Sequence, residues 1–235
     1  MGKPKSSYAL WIGGHILRAL FALLIIGVCA MLLWRVIFSQ DPPDGFDEIC
    51  ANDTLRAAYA AHGTLTVLEQ EDQVKYTEGE NNYGYFNLDY CYFIKEADQV
   101  QLVLFYNNSV LEHLAEDRGL SAVPPRGEEV FSVKLTQLVE SVADGEVIPE
   151  GEEIPIERRE IAPSKCEITT NSLYTFFRYT FDGVDLDTDT VVIYLDMYFV
   201  EEEGEESYGT LRLFHRESES GERELTRAEK KIITE

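Results

Sequence analysis

The residues with the clearest potential for chemistry form an acidic segment. Residues 182–189 (DGVDLDTD) hold four carboxylates, and Ca²⁺ prefers clustered oxygen ligands of this kind. An EF-hand loop beginning at Asp185 needs a glycine and a bidentate glutamate at the positions where this chain has Thr190 and Asp196. Aspartates are also common in turns, where their side chains bond to the backbone. We therefore predict a turn at this segment, with no metal and no cofactor.

A second candidate is a strip of aromatic and charged side chains on two predicted strands. Because side chains alternate along a strand, Ile193 and Leu195 would point inwards and their neighbours outwards. The outward residues predicted to form this strip are Phe176, Arg178, Tyr194, Asp196 and Tyr198. Exposed rings with polar groups between them can stack on sugars or bury in a protein partner. The alternative is a second covered face, beneath a loop or a short helix.

Catalytic motifs find little support in the sequence. No GxSxG, HExxH or SxxK pattern fixes a nucleophile or a metal. Two carboxylates at the right separation would suffice for glycoside hydrolysis, but among 43 Asp and Glu residues such a pair has no specificity. We therefore expect a binding protein and not an enzyme, and a surface hydrolase remains an alternative.

The N-terminal region predicts a membrane anchor. Residues 19–38 (ALFALLIIGVCAMLLWRVIF) are long enough to cross a bilayer as a helix of about 30 Å. Lys3, Lys5 and Arg18 precede this run and acidic residues follow it, which predicts a cytoplasmic N-terminus. A cleaved signal peptide is the rival interpretation, although the small residues near Cys29 are followed by further bulky ones. We expect a retained, single-pass signal-anchor in the cell membrane, with the bilayer as its partner.

The chain beyond Gln40 is strongly acidic. It holds 16 Lys and Arg against 43 Asp and Glu, a net charge near −27, which excludes nucleic acid as a partner. Its aromatic and β-branched residues indicate a folded domain. Cys50, Cys91 and Cys166 lie in this region and allow at most one internal disulfide, whose existence and pairing the spacing leaves open. No CxxC pair indicates zinc.

Alternation of apolar and polar residues predicts that this domain is mainly β. The predicted strands are 64–77, 83–94, 99–106, 129–140, 167–181, 190–200 and 207–215. The second and third should pair as a hairpin, with Phe86, Leu88, Tyr90, Tyr92 and Ile94 on one face of the second. A short helix is predicted near 53–61, capped by Asp53 or Thr54 and ended by Gly63. Another is predicted near 108–119, and a long loop or irregular edge hairpin at 143–165.

These elements predict an antiparallel β-sandwich of Ig-like architecture with one or two short helices. The Cys-Trp-Cys pattern of true immunoglobulin domains is absent, because both tryptophans lie in or beside the apolar run. The predicted organisation is a cytoplasmic or interfacial segment 1–18, the transmembrane helix 19–38, a linker 39–49, an extracytoplasmic sandwich 50–217 and a charged tail 218–235. A frayed tail is expected, although Thr226 and Glu229 have the spacing of a capping box.

The predicted function follows from this organisation. A membrane-anchored, extracellular domain without a catalytic motif is expected to act as a cell-surface binding module. Its partner would be a surface protein or a glycan. The alternative is an accessory subunit of a membrane protein complex, held there through residues 19–38.

Overall fold

The N-terminal part of the chain is one long helix, α1 (Ser6–Gln40). The computed structural model describes residues 6–40, 42–43, 45–46, 48–70, 86–141, 154–186, 189–199, 209–218 and 220–234. The stretch 15–34 of α1 is long and apolar enough to cross a membrane. It overlaps the predicted span over residues 19–34. Residues 1–41 and 42–235 form two separate units.

The described residues of the second unit form two antiparallel sheets and a few helices. The strands are β1 (Thr66–Gln70), β2 (Phe86–Ile94), β3 (Gln99–Asn107), β4 (Phe131–Glu140), β5 (Ile156–Ile161), β6 (Lys165–Thr170), β7 (Tyr174–Asp182), β8 (Thr190–Phe199), β9 (Gly209–His215) and β10 (Ser220–Glu224). Sheet A has the order β10-β1-β2-β3-β7-β6, and sheet B the order β5-β4-β8-β9. The helices are α2 (Asp53–His62), α3 (Val110–Arg118) and α4 (Arg227–Thr234).

The two sheets share one hydrophobic core. Apolar side chains at alternate positions of the central strands bury on one face, as the period of a strand requires. Fully buried members include Phe93, Leu102 and Phe181 from sheet A and Leu135, Ile193, Leu195 and Leu213 from sheet B. The prediction of a mainly β domain with antiparallel pairing is therefore confirmed. The predicted hairpin of β2 and β3 is also confirmed, with its turn at Lys95–Ala97.

Two local predictions in sheet A are wrong. The pairing of β2 with β3 shifts between Leu88 and Tyr90, so the side chains change sides at this bulge. Phe86 and Leu88 then face the shared core, whereas Tyr92 packs on the opposite side. The predicted strand 167–181 is two strands, β6 and β7, because the side chain of Asn171 makes a tight turn. Its Oδ1 accepts hydrogen bonds from the backbone N–H of Leu173 and Tyr174, at 2.9 and 2.8 Å.

The outer face of sheet A is covered near β1 by α2 and α4. Buried residues of this second cluster include Leu55, Val67, Ile94, Leu225 and Ile233. Helix α2 begins one residue earlier than predicted, because Asn52 is its N-cap and accepts from Leu55 N at 2.9 Å. It ends as predicted at Gly63, whose φ of +77° suits glycine.

The segment predicted to be a frayed tail contains β10 and α4. Strand β10 pairs with β1 over five residues. The expectation of a frayed end is wrong, and the capping box for which Thr226 and Glu229 have the spacing is present at the start of α4. Thr226 N donates to Glu229 Oε2 at 2.6 Å, and Glu229 N donates to Thr226 Oγ1 at 3.2 Å. Leu225 and Ile233 are buried, so two apolar anchors hold an otherwise charged segment.

Candidate functional site

The five predicted site residues lie on two different sheets. Phe176 and Arg178 belong to β7 in sheet A, and Tyr194, Asp196 and Tyr198 belong to β8 in sheet B. The residues between them point into the shared core. The two groups therefore lie on opposite outer faces. The expectation of one continuous strip is wrong, because β7 and β8 are consecutive in the chain but do not pair.

On sheet A, a segment that follows the apolar helix occupies the predicted site. We call residues 45–52 the arm; the structure describes it without residue 47. The ring of Phe46 meets the fully buried Phe176 edge to face, with centroids 6.5 Å apart. Arg178 Nη1 donates to the backbone oxygen of Gly45 at 2.8 Å, and its guanidinium lies 4.7 Å from the Phe46 ring centroid. Phe176 and Arg178 are thus part of a covered face.

The rest of the arm is fixed by polar side chains of β3. The buried Gln101 accepts from Cys50 N at 2.7 Å and donates to Cys50 O at 2.8 Å. Asn52 Nδ2 donates to Gln99 Oε1 at 3.2 Å. The contacts of Gly45 and Phe46 with β7 place part of the predicted linker, 39–49, against the sheet. The outward glutamines, which alternate with core residues of β3, are the sequence signal that could have indicated a covering segment.

On sheet B, two of the three predicted residues line a pocket of about 400 Å³. Its lining comes from all four strands of the sheet and comprises Thr136, Leu138, Arg158, Tyr194, Asp196, Thr210 and Arg212. This volume lies within the range of about 300–1,000 Å³ that is usual for small-molecule sites. Tyr198 does not line the pocket; the Lys134 ammonium lies 5.4 Å from its ring centroid.

Asp196 is the buried charged residue of this pocket. It is only 8 % exposed, and its two carboxylate oxygens accept from Thr136 Oγ1 at 2.6 Å and from Thr210 Oγ1 at 2.7 Å. Arg158 Nη2 lies 3.9 Å from Asp196 Oδ2, and it is closer to Glu160, at 3.1 Å. A carboxylate has about four acceptor positions, so the two threonines orient this one without saturating it.

The sequence predicted Tyr194 and Asp196 but missed the other polar residues of the pocket. Thr210 and Arg212 alternate with the core residues of β9, and this alternation could have indicated that they lie on the outer face of the strand. Arg158 lies in a segment predicted to be a loop or an edge hairpin, where the structure has the edge strand β5. Residues 142–153 of that segment lie outside the described part of the chain.

The acidic segment 182–189 plays a structural role where the structure describes it. Asp182 Oδ1 accepts from Gln99 Nε2 at 2.6 Å, and the backbone oxygen of Asp185 accepts from Thr190 Oγ1 at 3.1 Å. Asp187 and Thr188 are outside the described residues. Within the described ranges, no group of three or more His, Cys, Asp or Glu residues is placed to hold a metal ion.

None of the four cysteines, all of which the structure describes, forms a disulfide. Cys91 is buried in the shared core, and burial raises the pKa of its thiol well above the ordinary value. Burial, with the nearby charge of Glu129, raises the pKa of Cys166 to about 12. Both side chains are therefore protonated at neutral pH and unreactive as nucleophiles.

The chemistry that the sheet B pocket offers is recognition of a polar ligand. It presents a carboxylate, two threonine hydroxyls, guanidinium donors and a tyrosine. These groups can accept hydrogen bonds, donate them and cover an apolar ring face. Comparisons of the chain with models of known protein families, with curated proteins and with solved structures find no match.

Proposed function

We propose that the protein is a single-pass membrane protein with its N-terminus inside. Its outer domain would be an Ig-like β-sandwich that serves as a binding module at the cell surface. The pocket on sheet B is the observation that carries this proposal, because it combines a shaped volume with oriented polar groups. It also contains Tyr194 and Asp196, which the sequence alone singled out.

The contrast between the two outer faces supports sheet B as the binding face. On sheet A, α2 and α4 cover apolar side chains, and the arm forms hydrogen bonds with the side chain of Gln101 on β3. On sheet B, the side chain of Arg158 is 56 % exposed and that of Glu160 is 50 % exposed. A ligand can reach these side chains directly.

Membrane anchoring would contribute to binding through concentration. Restricting the domain to the surface raises its effective concentration near surface ligands without any new contact. The excess of acidic residues in the domain would keep it soluble and repel nucleic acid. The positive residues before the apolar run favour this orientation.

Replacing Tyr194 and Tyr198 with alanine tests the proposal. We expect the full-length variant in detergent to lose capture of surface glycans or proteins that the wild-type protein binds. The reason is the loss of two rings from the outer face of β8. Binding is measured on an array of surface polysaccharides and proteins, and thermal unfolding confirms that the variant folds.

Tyr174→Ala is the matched control, because Tyr174 is a half-buried tyrosine of sheet A. It should leave capture unchanged. If the double variant binds as well as the wild-type protein, or if Tyr174→Ala removes binding instead, sheet B is not the binding face.

A further inference from the structure

Arg212 is the one half-buried arginine among the described residues that has no acidic partner. The other two are paired: Arg178 with Glu167, and Arg223 with Glu229. Glutamate and aspartate outnumber lysine and arginine by more than two to one in this chain. A partly desolvated guanidinium without a counterion is unfavourable, so an anion supplied from outside would stabilise it.

The local charge at the pocket is close to balanced, unlike that of the acidic domain. Arg158 and Arg212 line it with Asp196, and Glu160 lies 3.1 Å from Arg158, whereas the chain carries a net charge of −23. Charges further away than about 8 Å are largely screened at physiological ionic strength. The guanidinium of Arg212, and not the net charge of the domain, therefore governs recognition of a single anionic group in the pocket. Arginine suits a carboxylate in particular, because two parallel N–H groups can bond to its two oxygens.

The other groups of the pocket favour a ring that bears hydroxyls. Tyr194 is the cross-strand neighbour of Arg212, so both project from adjacent strands of sheet B. Asp196, held by two threonine hydroxyls, retains positions that can accept from ligand hydroxyls. A tyrosine ring can cover the apolar face of a sugar. Peptide carboxylates lack such a set of neighbouring hydroxyls.

We infer that the pocket binds a uronic acid unit of a surface polysaccharide. Its carboxylate bonds to Arg212, its hydroxyls donate to Asp196, and its ring lies against Tyr194. This inference rests on the proposed function, since it names the ligand class of the same pocket.

The test compares two sugars that differ at one carbon. Full-length protein in detergent is titrated with methyl glucuronide and with methyl glucoside, which has a hydroxymethyl group in place of the carboxylate. Binding is followed by chemical-shift changes. We expect the glucuronide to bind about tenfold more tightly or better, because a hydrogen bond between charged groups is lost with the glucoside. Arg212→Gln should reduce the affinity for glucuronide to that for glucoside.

Arg227→Gln is the matched control, because Arg227 is exposed on α4, which packs on the outer face of sheet A and not on sheet B. It should leave both affinities unchanged. Equal affinity of the wild-type protein for the two sugars, or binding of neither, overturns the inference. N-acetylalanine binding as tightly as the glucuronide overturns the sugar assignment. In each of these cases, capture of another ligand that is lost when Tyr194 and Tyr198 are replaced with alanine would still support the proposed function.

Discussion

Replacing Arg223 with methionine is expected to lower the free energy of unfolding by about 3 kcal/mol. Arg223 Nη1 and Nη2 bond to the carboxylate of Glu229 at 2.8 and 2.9 Å, and Nε bonds to Glu69 at 2.7 Å. The Glu229 side chain is only 8 % exposed. Without the guanidinium, a buried carboxylate remains uncompensated. Through Glu69 and Glu229, Arg223 also joins β10 to β1 and to α4, so its loss weakens the attachment of the C-terminal segment.

The difference in the free energy of unfolding between the wild-type protein and Arg223→Met should be smaller at acidic pH. Burial opposes ionisation of Glu229, but hydrogen bonds from Arg223 and Thr226 hold its pKa below the ordinary value. A carboxyl whose folded pKa is lowered stabilises the fold above its unfolded pKa of about 4.3 and loses this effect as the pH falls through the folded value. In the variant, burial without the arginine favours the protonated form. Denaturant unfolding of full-length protein at about pH 7 and about pH 3 measures the difference.

A second substitution separates the charge pair from packing. Glu229→Gln removes the buried charge and keeps a side chain that can complete the capping box with Thr226. The double variant Arg223→Met/Glu229→Gln should therefore recover most of the stability lost by the single variant. If the double variant is no more stable than the single one, the loss comes from packing of the arginine over Tyr92, whose ring centroid lies 5.4 Å away.

Two arginines in the centre of the apolar helix are expected to remove the protein from the membrane. Leu24→Arg and Ile25→Arg fall midway along residues 15–34, and both wild-type side chains are exposed apolar groups. An arginine at the centre of a span costs about 2.5–3.5 kcal/mol, so the pair costs about 5–7 kcal/mol. Carbonate extraction of membranes, followed by blotting of pellet and supernatant, measures the change. Retention of the variant in the pellet would contradict membrane insertion of this helix.

An unrelated apolar span in place of residues 19–38 is the control. It should restore membrane retention, and ligand capture through sheet B should persist with it. If the exchange instead removes a co-purifying integral protein and abolishes binding, the accessory-subunit alternative is favoured. In that case the specific contacts lie in the apolar helix.

Local pattern was enough to predict much of the fold. Strands β4, β8 and β9 and the β2–β3 hairpin appear where alternation predicted them, because each buries one face in the shared core. Helix α3 ends at the predicted Gly119, which has a φ of +62°. The capping box at Thr226 also formed as its spacing predicted. In each case, the pattern or spacing that predicts the element lies within one segment of the sequence.

Features that depend on distant contacts were not predictable in the same way. The bulge between Leu88 and Tyr90 is defined against the partner strand β3, and no local residue signals it. The C-terminal segment is ordered by pairing with β1, more than 150 residues earlier. The arm follows the same rule, because its bonds to Gln99 and Gln101 join residues about fifty apart.

In the candidate site, too, local pattern predicted some residues, and contacts between distant segments determined the rest. Alternation within β8 was sufficient to place Tyr194 and Asp196 on an outer face. The pocket itself needs Thr136, Thr210 and Arg212, which come from neighbouring strands. Their proximity depends on the strand order β5-β4-β8-β9 and on its register, and neither is written in any one segment. The same missing information led sequence reasoning to join β7 and β8 in one strip.

Display of the outer domain at the cell surface can be measured with a lysine reagent that does not cross membranes. Intact cells are labelled, and peptides are identified by mass spectrometry, with a lysed sample for comparison. Lys134, Lys165 and Lys231 are exposed on the domain and should be labelled on intact cells. Lys3 and Lys5, which precede the apolar helix, should be labelled only after lysis. Labelling of Lys3 and Lys5 on intact cells, with the domain lysines protected until lysis, would contradict a domain displayed outside.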